Sequence, residues 1–337
     1  MANNDSKDAF KTTATSASTG PAWAELFAEG DADKILGRLR SELIGLLKKW
    51  SRSLQRYNVV FYYQPETMTD DDTDDIYRAL KRGPAGEKDV LMLLVSGGGQ
   101  TQPAYQISKL CRDWAKNRFI VSVPRQAYSA ATLLCLGADA VHMGPLGNLG
   151  PIDSLYRYTN GQRVSGMAHI HSLQTITRWV TESPASQGFW TEILSKDENF
   201  NYFDIGTYER EEEASVQWAE RLLIAGKSDP DRAAKIAKYL TYEYKDHGFL
   251  IDRDEATDIF GADSVVRSSN ELAFGEEAYD LIANVDKGLR AIEPDGDNIG
   301  YGGVKVVGTI DDMVLLPPPV TRRRKKSQDS ELGEPPS

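Results

Sequence analysis

The chain has little cysteine, more acid than base and no long apolar run, and each of these shortages excludes a class of protein. Only two of the 337 residues are cysteines, Cys111 and Cys135, which are too few for a disulfide framework and are not spaced as zinc ligands. Lys and Arg total 39 against 50 Asp and Glu, and the net charge of −11 disfavours wrapping of nucleic acid or binding to an anionic membrane. No apolar run reaches the roughly 18 residues that a membrane span requires.

Both ends of the chain are also poor in apolar residues. Residues 1–20 are polar and lack the apolar core of a signal peptide, so we expect a disordered leader on a cytoplasmic protein. Residues 317–337 are rich in proline, then basic, then acidic, and predict a disordered tail. The basic run at 322–326 is more typical of a solvated charge block than of a nucleic-acid tether.

Between these ends, apolar segments alternate in a strand–helix rhythm. Strands are predicted at residues 58–63, 90–95, 119–123 and 140–143, and helices at 101–116, 129–136 and 208–225. Almost wholly apolar strands that are joined by helices are typical of a mostly parallel sheet covered on both faces. The sequence therefore predicts one α/β domain over residues 55–316.

An amphipathic helix is predicted ahead of this domain, at residues 33–50. Its leucines and isoleucines recur at helical spacing between Lys and Arg side chains. The apolar face must pack either on the domain or on a partner. We therefore assign residues 21–54 to an amphipathic helix that is a candidate oligomer or adaptor contact.

A cluster of aspartates follows Thr69 and has two readings. Carboxylates in such numbers are able to hold a metal ion. Negative charge is also favoured in the first turn of a helix, where it meets the positive end of the helix dipole, and this is the reading that we favour. The cluster comprises Asp70, Asp71, Asp72, Asp74 and Asp75.

Two short segments that directly follow buried strands are the candidates for chemistry. Ser96 precedes three glycines, whose backbone N–H groups can face the crevice at the carboxyl end of a parallel sheet. A nucleotide loop is disfavoured, because neither GxGxxG nor a P-loop is present, and an oxyanion hole is the other reading. Ser129 begins the helix after the next strand, either as an ordinary N-cap or as a nucleophile without the GxSxG pattern.

The order of these segments resembles the ClpP/crotonase superfamily. SGGG ends one strand, AYSAAT follows the next, and LGAD and MGPLGNLGPID come after them. Within the superfamily, the chain is most similar to the serine dehydrogenase proteinase family, relatives of signal peptide peptidase A, which have a His-containing segment like DHGFLIDRDEA at residues 246–256. The resemblance covers about residues 55–265 and implies a ClpP/crotonase-like spiral of mostly parallel strands with crossover helices.

The resemblance implies a role for several residues. Ser129 matches the nucleophile, and the N–H groups of Gly98 and Ala130 match an oxyanion hole. The Clp proteolytic subunit has a His after the nucleophile helix and an Asp later; here Asp153 stands near the first position and His247 near the second. We therefore expect a triad in the order Ser129, Asp153, His247, with His247 as the base and Asp153 orienting it.

Other candidate bases are weaker. Signal peptide peptidases use a Ser–Lys dyad, and Lys196 is the second choice for that role here. We expect His142 to pack at the end of the sheet. His169 and His171 are two residues apart and are weighed as a metal pair or a base, but no third ligand stands near them in the sequence.

The function that the resemblance implies is a serine peptidase that hydrolyses peptide bonds through an acyl-enzyme. It needs no metal or organic cofactor, and we expect it to be independent of ATP, because no GxxxxGK[ST] motif occurs. Its partners are peptide or protein substrates and other copies of the chain in a homo-oligomer. The alternatives are a catalytically inactive ClpP-like scaffold, a crotonase-type acyl-CoA enzyme and, as the weakest, a protein tethered to nucleic acid through its basic tail.

Overall fold

The computed structural model describes residues 21–157, 163–196, 202–292 and 303–316. The predicted leader at 1–20 and the predicted tail at 317–337 lie outside these residues. The strands are β1 (Tyr57–Gln64), β2 (Asp89–Ser96), β3 (Phe119–Val123), β4 (Gln126–Ala127), β5 (Ala140–Met143), β6 (Asn148–Leu149), β7 (Leu155–Arg157), β8 (Arg163–Ser165), β9 (Val265–Val266), β10 (Lys305–Thr309) and β11 (Met313–Leu316).

Helices occupy most of the remaining described chain. They are α1 (Pro21–Glu29), α2 (Ala32–Lys49), α3 (Ser51–Leu54), α4 (Asp70–Arg82), α5 (Thr101–Trp114), α6 (Ala130–Cys135), α7 (Gly166–Glu182), α8 (Gln187–Lys196), α9 (Tyr202–Ala225), α10 (Pro230–Tyr242), α11 (Arg253–Phe260) and α12 (Asn270–Arg290). The strands and helices predicted from apolar periodicity are all present, with ends that differ by a few residues.

The main sheet has the order β11-β10-β1-β2-β3-β5-β9. The five strands from β1 to β9 are parallel, whereas β10 and β11 are antiparallel to their neighbours. A second short parallel ladder branches from the carboxyl end of β2, where Ser96 pairs with Ala127 of β4 and β4 pairs with β6. The predicted α/β fold with a mostly parallel sheet and crossover helices is confirmed.

Alternate residues of the central strands feed two separate cores. On one face, Val90, Met92 and Leu94 of β2 pack with residues of α4, α5, α6, α9 and α10. On the other face, Leu91 and Leu93 pack with residues of α1, α2 and α12. Every residue of β2 is buried, as expected for a central strand of a sheet that helices cover on both faces.

The apolar face of α2 packs inside the chain. Ile35, Leu39 and Leu43 are fully buried in the core that α2 shares with α12 and the sheet. Of the two readings of this helix, packing on its own domain is the one that the structure contains.

The aspartate cluster begins α4, as the helix-dipole reading predicts. Asp72 is fully buried and accepts hydrogen bonds from the Tyr62 hydroxyl at 3.0 Å and from the Thr69 N–H at 2.8 Å, and the second of these closes a capping box. The Lys305 ammonium of β10 lies 2.5 Å from the same carboxylate. Asp72 thus links three elements through hydrogen bonds and one ion pair.

Neither metal ligands nor a membrane span is found in the described ranges. No group of three or more His, Cys, Asp or Glu side chains there is arranged to hold a metal ion. Within those same ranges, every helix is too short or too polar to cross a bilayer.

Candidate active site

A cavity of about 460 Å³ opens where β2 ends and α6 begins. The two segments singled out in the sequence, the glycines after Ser96 and the turn at Ser129, meet at its wall because β2 and β4 pair at their ends. The five residues predicted for the site all line this cavity: Gly98, Ser129, Ala130, Asp153 and His247. The lining residues are Glu66, Thr67, Gly97, Gly98, Gly99, Gln100, Thr101, Ser129, Ala130, Leu133, Ile152, Asp153, Ser154, Leu155, Glu211, Ser215 and His247.

Ser129 has a strained backbone. Its φ of 53° and ψ of −119° lie outside the regions that L-residues favour, and among the described non-glycine residues only Lys227 shares a positive φ. Such a conformation costs on the order of 1–3 kcal/mol and persists only where the surroundings impose it. The Ser129 side chain makes no capping hydrogen bond to α6. The ordinary structural reason for a serine at a helix start is therefore absent.

The turn around Ser129 is held by buried hydrogen bonds. The Tyr128 N–H donates to the Ser96 carbonyl at 3.1 Å, which fixes the turn to the end of β2. The Thr132 hydroxyl donates to the Ala127 carbonyl at 2.7 Å and accepts from the Gly150 N–H at 2.9 Å. These bonds fix the chain on both sides of the serine, so they can maintain the strained conformation.

Gly98 lies directly against the serine. A Cβ atom on Gly98 would stand 2.7 Å from the Tyr128 carbonyl oxygen and 2.8 Å from the Ser129 Cβ, and its φ of 101° also favours glycine. The Gly98 N–H donates to the Ser96 hydroxyl at 3.1 Å. The Ala130 N–H, in contrast, has no hydrogen-bond acceptor among the described residues. One of the two predicted oxyanion donors is thus free and the other is occupied by Ser96.

Asp153 and His247 are in direct contact. The Nδ1 atom of His247 lies 2.8 Å from Oδ1 of Asp153, and the two side chains are 16% and 6% exposed. The Ser165 hydroxyl donates to the other oxygen of Asp153, Oδ2, at 2.5 Å. With Nδ1 donating to the carboxylate, Nε2 of His247 is the nitrogen left to accept a proton. No hydrogen bond joins Ser129 to His247 within the described chain, although both line the cavity.

Sequence reasoning missed Glu212 of α9, which is 1% exposed beside the site. Its carboxylate accepts from the Ser154 N–H at 3.1 Å and from the Ser154 hydroxyl at 2.6 Å. The pKa of Glu212 is raised from 4.5 to about 7, mainly because the carboxyl is buried; the Ser154 hydrogen bonds oppose this rise, and the nearby charge of Asp153 adds a smaller increase. One signal was present in the sequence, because Tyr208 and Val216 flank Glu212 at four-residue spacing on the buried face of α9.

The other candidate residues lie elsewhere in the fold. Lys196 is exposed at the end of α8, where it pairs with Glu192 of the same helix. His142 is buried on β5 and its Nδ1 lies 2.7 Å from the Ser269 hydroxyl, which agrees with the packing reading. His169 and His171 are both on α7, and the ring of His169 stacks on Tyr208. None of these residues lines the cavity.

No protein-family model matches the sequence, and a search of curated proteins finds no match. Solved structures with a similar chain path include two mutants of the membrane-bound stomatin-specific protease 1510-N. The Ser-to-Ala mutant has 15% identity and a TM-score of 0.42, with 65% of this chain and 84% of that chain covered. The Lys-to-Ala mutant, in complex with a substrate peptide, has 15% identity and a TM-score of 0.42, with 76% and 90% covered.

A third similar structure is ClpP1 from Listeria monocytogenes. It has 13% identity and a TM-score of 0.36, with 64% of this chain and 94% of that chain covered. Because the identities and TM-scores of all three structures are low, we infer the activity of the present chain from its own residues.

Proposed function

We propose that this chain is a serine peptidase in which Ser129 is the nucleophile, His247 the general base and Asp153 the residue that orients the base. The observation that carries the proposal is the 2.8 Å contact of His247 with Asp153. This pair lines the same cavity as Ser129, whose backbone is strained and whose hydroxyl does not cap α6. A nucleophile, a base and an orienting carboxylate that share one cavity are what acyl transfer requires.

In the first half of the reaction, the Ser129 Oγ attacks the carbonyl carbon of a peptide bond and its proton passes to Nε2 of His247. The tetrahedral intermediate then collapses, the C–N bond breaks, and His247 returns that proton to the leaving amine. Asp153 holds the ring by its Nδ1–H and stabilises the imidazolium that forms between these two steps.

In the second half, a water molecule attacks the acyl-enzyme and its proton goes to His247. Collapse of the second intermediate breaks the ester bond, releases the acid and returns the proton to Ser129. Both intermediates carry an oxyanion. The free Ala130 N–H can stabilise it at once, whereas the Gly98 N–H must first turn from the Ser96 hydroxyl.

The cavity walls bear on the competing function of an acyl-CoA enzyme. No Lys or Arg is among the described residues that line the cavity, while Glu66, Asp153 and Glu211 are. Such a wall offers no cation to the phosphates of a nucleotide-bearing thioester. The charge of the cavity therefore favours a peptide over an acyl-CoA.

The proposal extends to the setting of the reaction. We expect the enzyme to act as an endopeptidase that does not itself hydrolyse ATP, because the sequence has no Walker A motif, and to need no metal or organic cofactor. We place it in the serine dehydrogenase proteinase branch of the ClpP-like peptidases and in a homo-oligomer, as the resemblance of its motifs implies, and we expect it to work in the cytoplasm.

The test is covalent labelling with a fluorophosphonate, read as the mass of the intact chain. We expect one adduct on the native protein and none on Ser129→Ala, whereas the control Ser195→Ala, at an exposed serine of α8, should label normally. Asp153→Asn should label at least a hundredfold more slowly, because the wrong tautomer of His247 is then held. An unlabelled native protein that is folded, or an adduct that persists in Ser129→Ala, would refute the proposal.

A further inference from the structure

Ser165 makes two hydrogen bonds through one hydroxyl group. Its Oγ accepts the Met167 N–H at 3.1 Å and so caps α7. The hydrogen of the same hydroxyl is donated to Oδ2 of Asp153 at 2.5 Å. A cap needs only the lone pair of the oxygen, so the bond to Asp153 is additional to the capping role.

The Ser165 segment is tightly joined to the segment that carries Asp153. Ser165 pairs with Leu155 in the antiparallel ladder of β7 and β8, and the Gly166 N–H donates to the Ser154 carbonyl at 3.0 Å. A Cβ on Gly166 would stand 2.6 Å from Oε1 of Glu212, so a larger residue here would have to displace the Glu212 carboxylate from Ser154. The position of the Ser165 hydroxyl is thus fixed relative to Asp153.

With both contacts made, each oxygen of the Asp153 carboxylate has its own partner. Oδ1 faces Nδ1 of His247 and Oδ2 faces the Ser165 hydroxyl, and the carboxylate is 6% exposed. Rotation of the carboxylate would break both bonds at once in a place that water scarcely reaches. The orientation of the His247 ring therefore depends on Ser165 as well as on Asp153.

We propose that Ser165 is a positioning residue for the reaction at Ser129, which holds Asp153 in the orientation that His247 needs. This inference rests on the proposed function of the triad. Ser165 also joins that triad to the first turn of α7, so that a displacement of α7 reaches His247 through a chain of three hydrogen bonds.

Three variants separate this role from helix capping. Ser165→Ala removes both hydrogen bonds, and Ser165→Thr retains the hydroxyl for both. Ser165→Asp keeps a good N-cap but places a second carboxylate against Asp153. Ser269→Ala is the matched control, because Ser269 also caps a helix, by accepting the Leu272 N–H, and contacts a histidine outside the cavity, His142.

The readout is the second-order rate of fluorophosphonate labelling across pH, with circular dichroism to verify folding. We expect Ser165→Ala to label about tenfold more slowly, with the acid limb of its pH profile moved to higher pH, because an Asp153 carboxylate that has lost a donor binds a protonated ring more strongly. Ser165→Asp should be slower still, and Ser165→Thr should recover most of the rate. Labelling of Ser165→Asp at the native rate and with the native profile would refute the positioning role.

A second measurement separates this inference from the proposed function. The Nδ1 proton of His247 should give a low-field resonance in the proton NMR spectrum that disappears in His247→Gln. We expect Ser165→Ala to shift or broaden that resonance and Ser269→Ala to leave it unchanged, whether or not Ser129 labels. An unchanged resonance in folded Ser165→Ala would overturn the inference even if Ser129 is the nucleophile.

Discussion

His247 lies with its Nδ1 2.8 Å from Oδ1 of Asp153, although the two residues are 94 positions apart in the chain. A two-bond bridge brings their segments together: the Leu149 N–H donates to the Ile251 carbonyl at 2.8 Å, and the Ile251 N–H donates back at 3.0 Å. The contact is therefore built on backbone pairing a few residues from each side chain, rather than on the side chains alone.

His247 and Lys196 are the two alternative candidates for the general base, and substitution of each residue distinguishes them. His247→Gln should lose labelling by about a thousandfold or more, because its amide cannot take the proton of Ser129. Lys196→Ala should label at the native rate, since Lys196 is exposed on α8 and its partner among the described residues is Glu192 of the same helix. Both variants should unfold at the native urea concentration. Loss of labelling in Lys196→Ala with a normal His247→Gln would instead support a Ser–Lys dyad.

The strain at Ser129 predicts an unusual order of stabilities. Glycine adopts the φ of 53° without the penalty of a side chain, so Ser129→Gly should be more stable than Ser129→Ala by about 1 kcal/mol. Both should fail to label. Urea unfolding measures the difference, and the pair Lys227→Gly and Lys227→Ala, at the other positive φ, gives the comparison outside the cavity. Equal stability of the two Ser129 variants would mean that the turn relaxes once the hydroxyl is gone.

Gly98 should be intolerant of even one methyl group. Gly98→Ala must displace the Tyr128 carbonyl or Ser129 itself, and we expect labelling to slow by about a hundredfold through the loss of oxyanion geometry. Gly86→Ala is the control, because Gly86 also has a positive φ of 68° but open space around it. It should cost about 1 kcal/mol in stability and leave labelling unchanged. A Gly98→Ala variant that labels normally would remove Gly98 from the site.

The raised pKa of Glu212 predicts that the free energy of unfolding falls as pH rises. Because its pKa is raised to about 7 in the folded chain, the folded state retains a proton that the unfolded state loses above pH 4.5. The retained proton stabilises the folded state by roughly 3 kcal/mol. This contribution is fully present below pH 4.5 and is lost between pH 4.5 and 7. Urea unfolding at pH 5 and pH 8 should show this loss in the native chain and in the exposed-site control Glu213→Gln, but not in Glu212→Gln. A pH dependence that persists in Glu212→Gln would assign it to other groups.

Apolar periodicity predicted strands β1, β2, β3 and β5 and helices α2, α5, α6 and α9, because the burial of one face of an element is visible in its local sequence. It also left open what the apolar face of α2 packs against, and in the structure Ile35, Leu39 and Leu43 of that face pack in the core shared with α12 and the sheet. The sequence motifs predicted that Ser129, Asp153 and His247 form a triad, and in the structure all three line one cavity. Their catalytic roles stay predictions.

Local sequence assigns no role to Ser165, and for Glu212 it indicates only a place on the buried face of α9. Ser165 reads as an N-cap and Glu212 as one of three consecutive glutamates on a helix, which are ordinary places for these residue types. Their importance comes from contacts with Asp153 and Ser154, and those contacts exist only once α7 and α9 have packed beside the cavity. Contacts of this kind are determined by packing between elements that are distant in the chain, and the local sequence gives little information about that packing.

The pairing of β10 with β1 has a consequence for the order in which the chain folds. Val307 is aligned with Tyr62, and Lys305 of the same strand supplies the cation for buried Asp72. A ribosome delivers β1 long before β10, so the nascent chain holds an open strand edge and an uncompensated carboxylate until the last strands emerge. Folding is thus completed late, and a chain stalled before residue 305 would present β1 to other nascent chains as a site of aggregation.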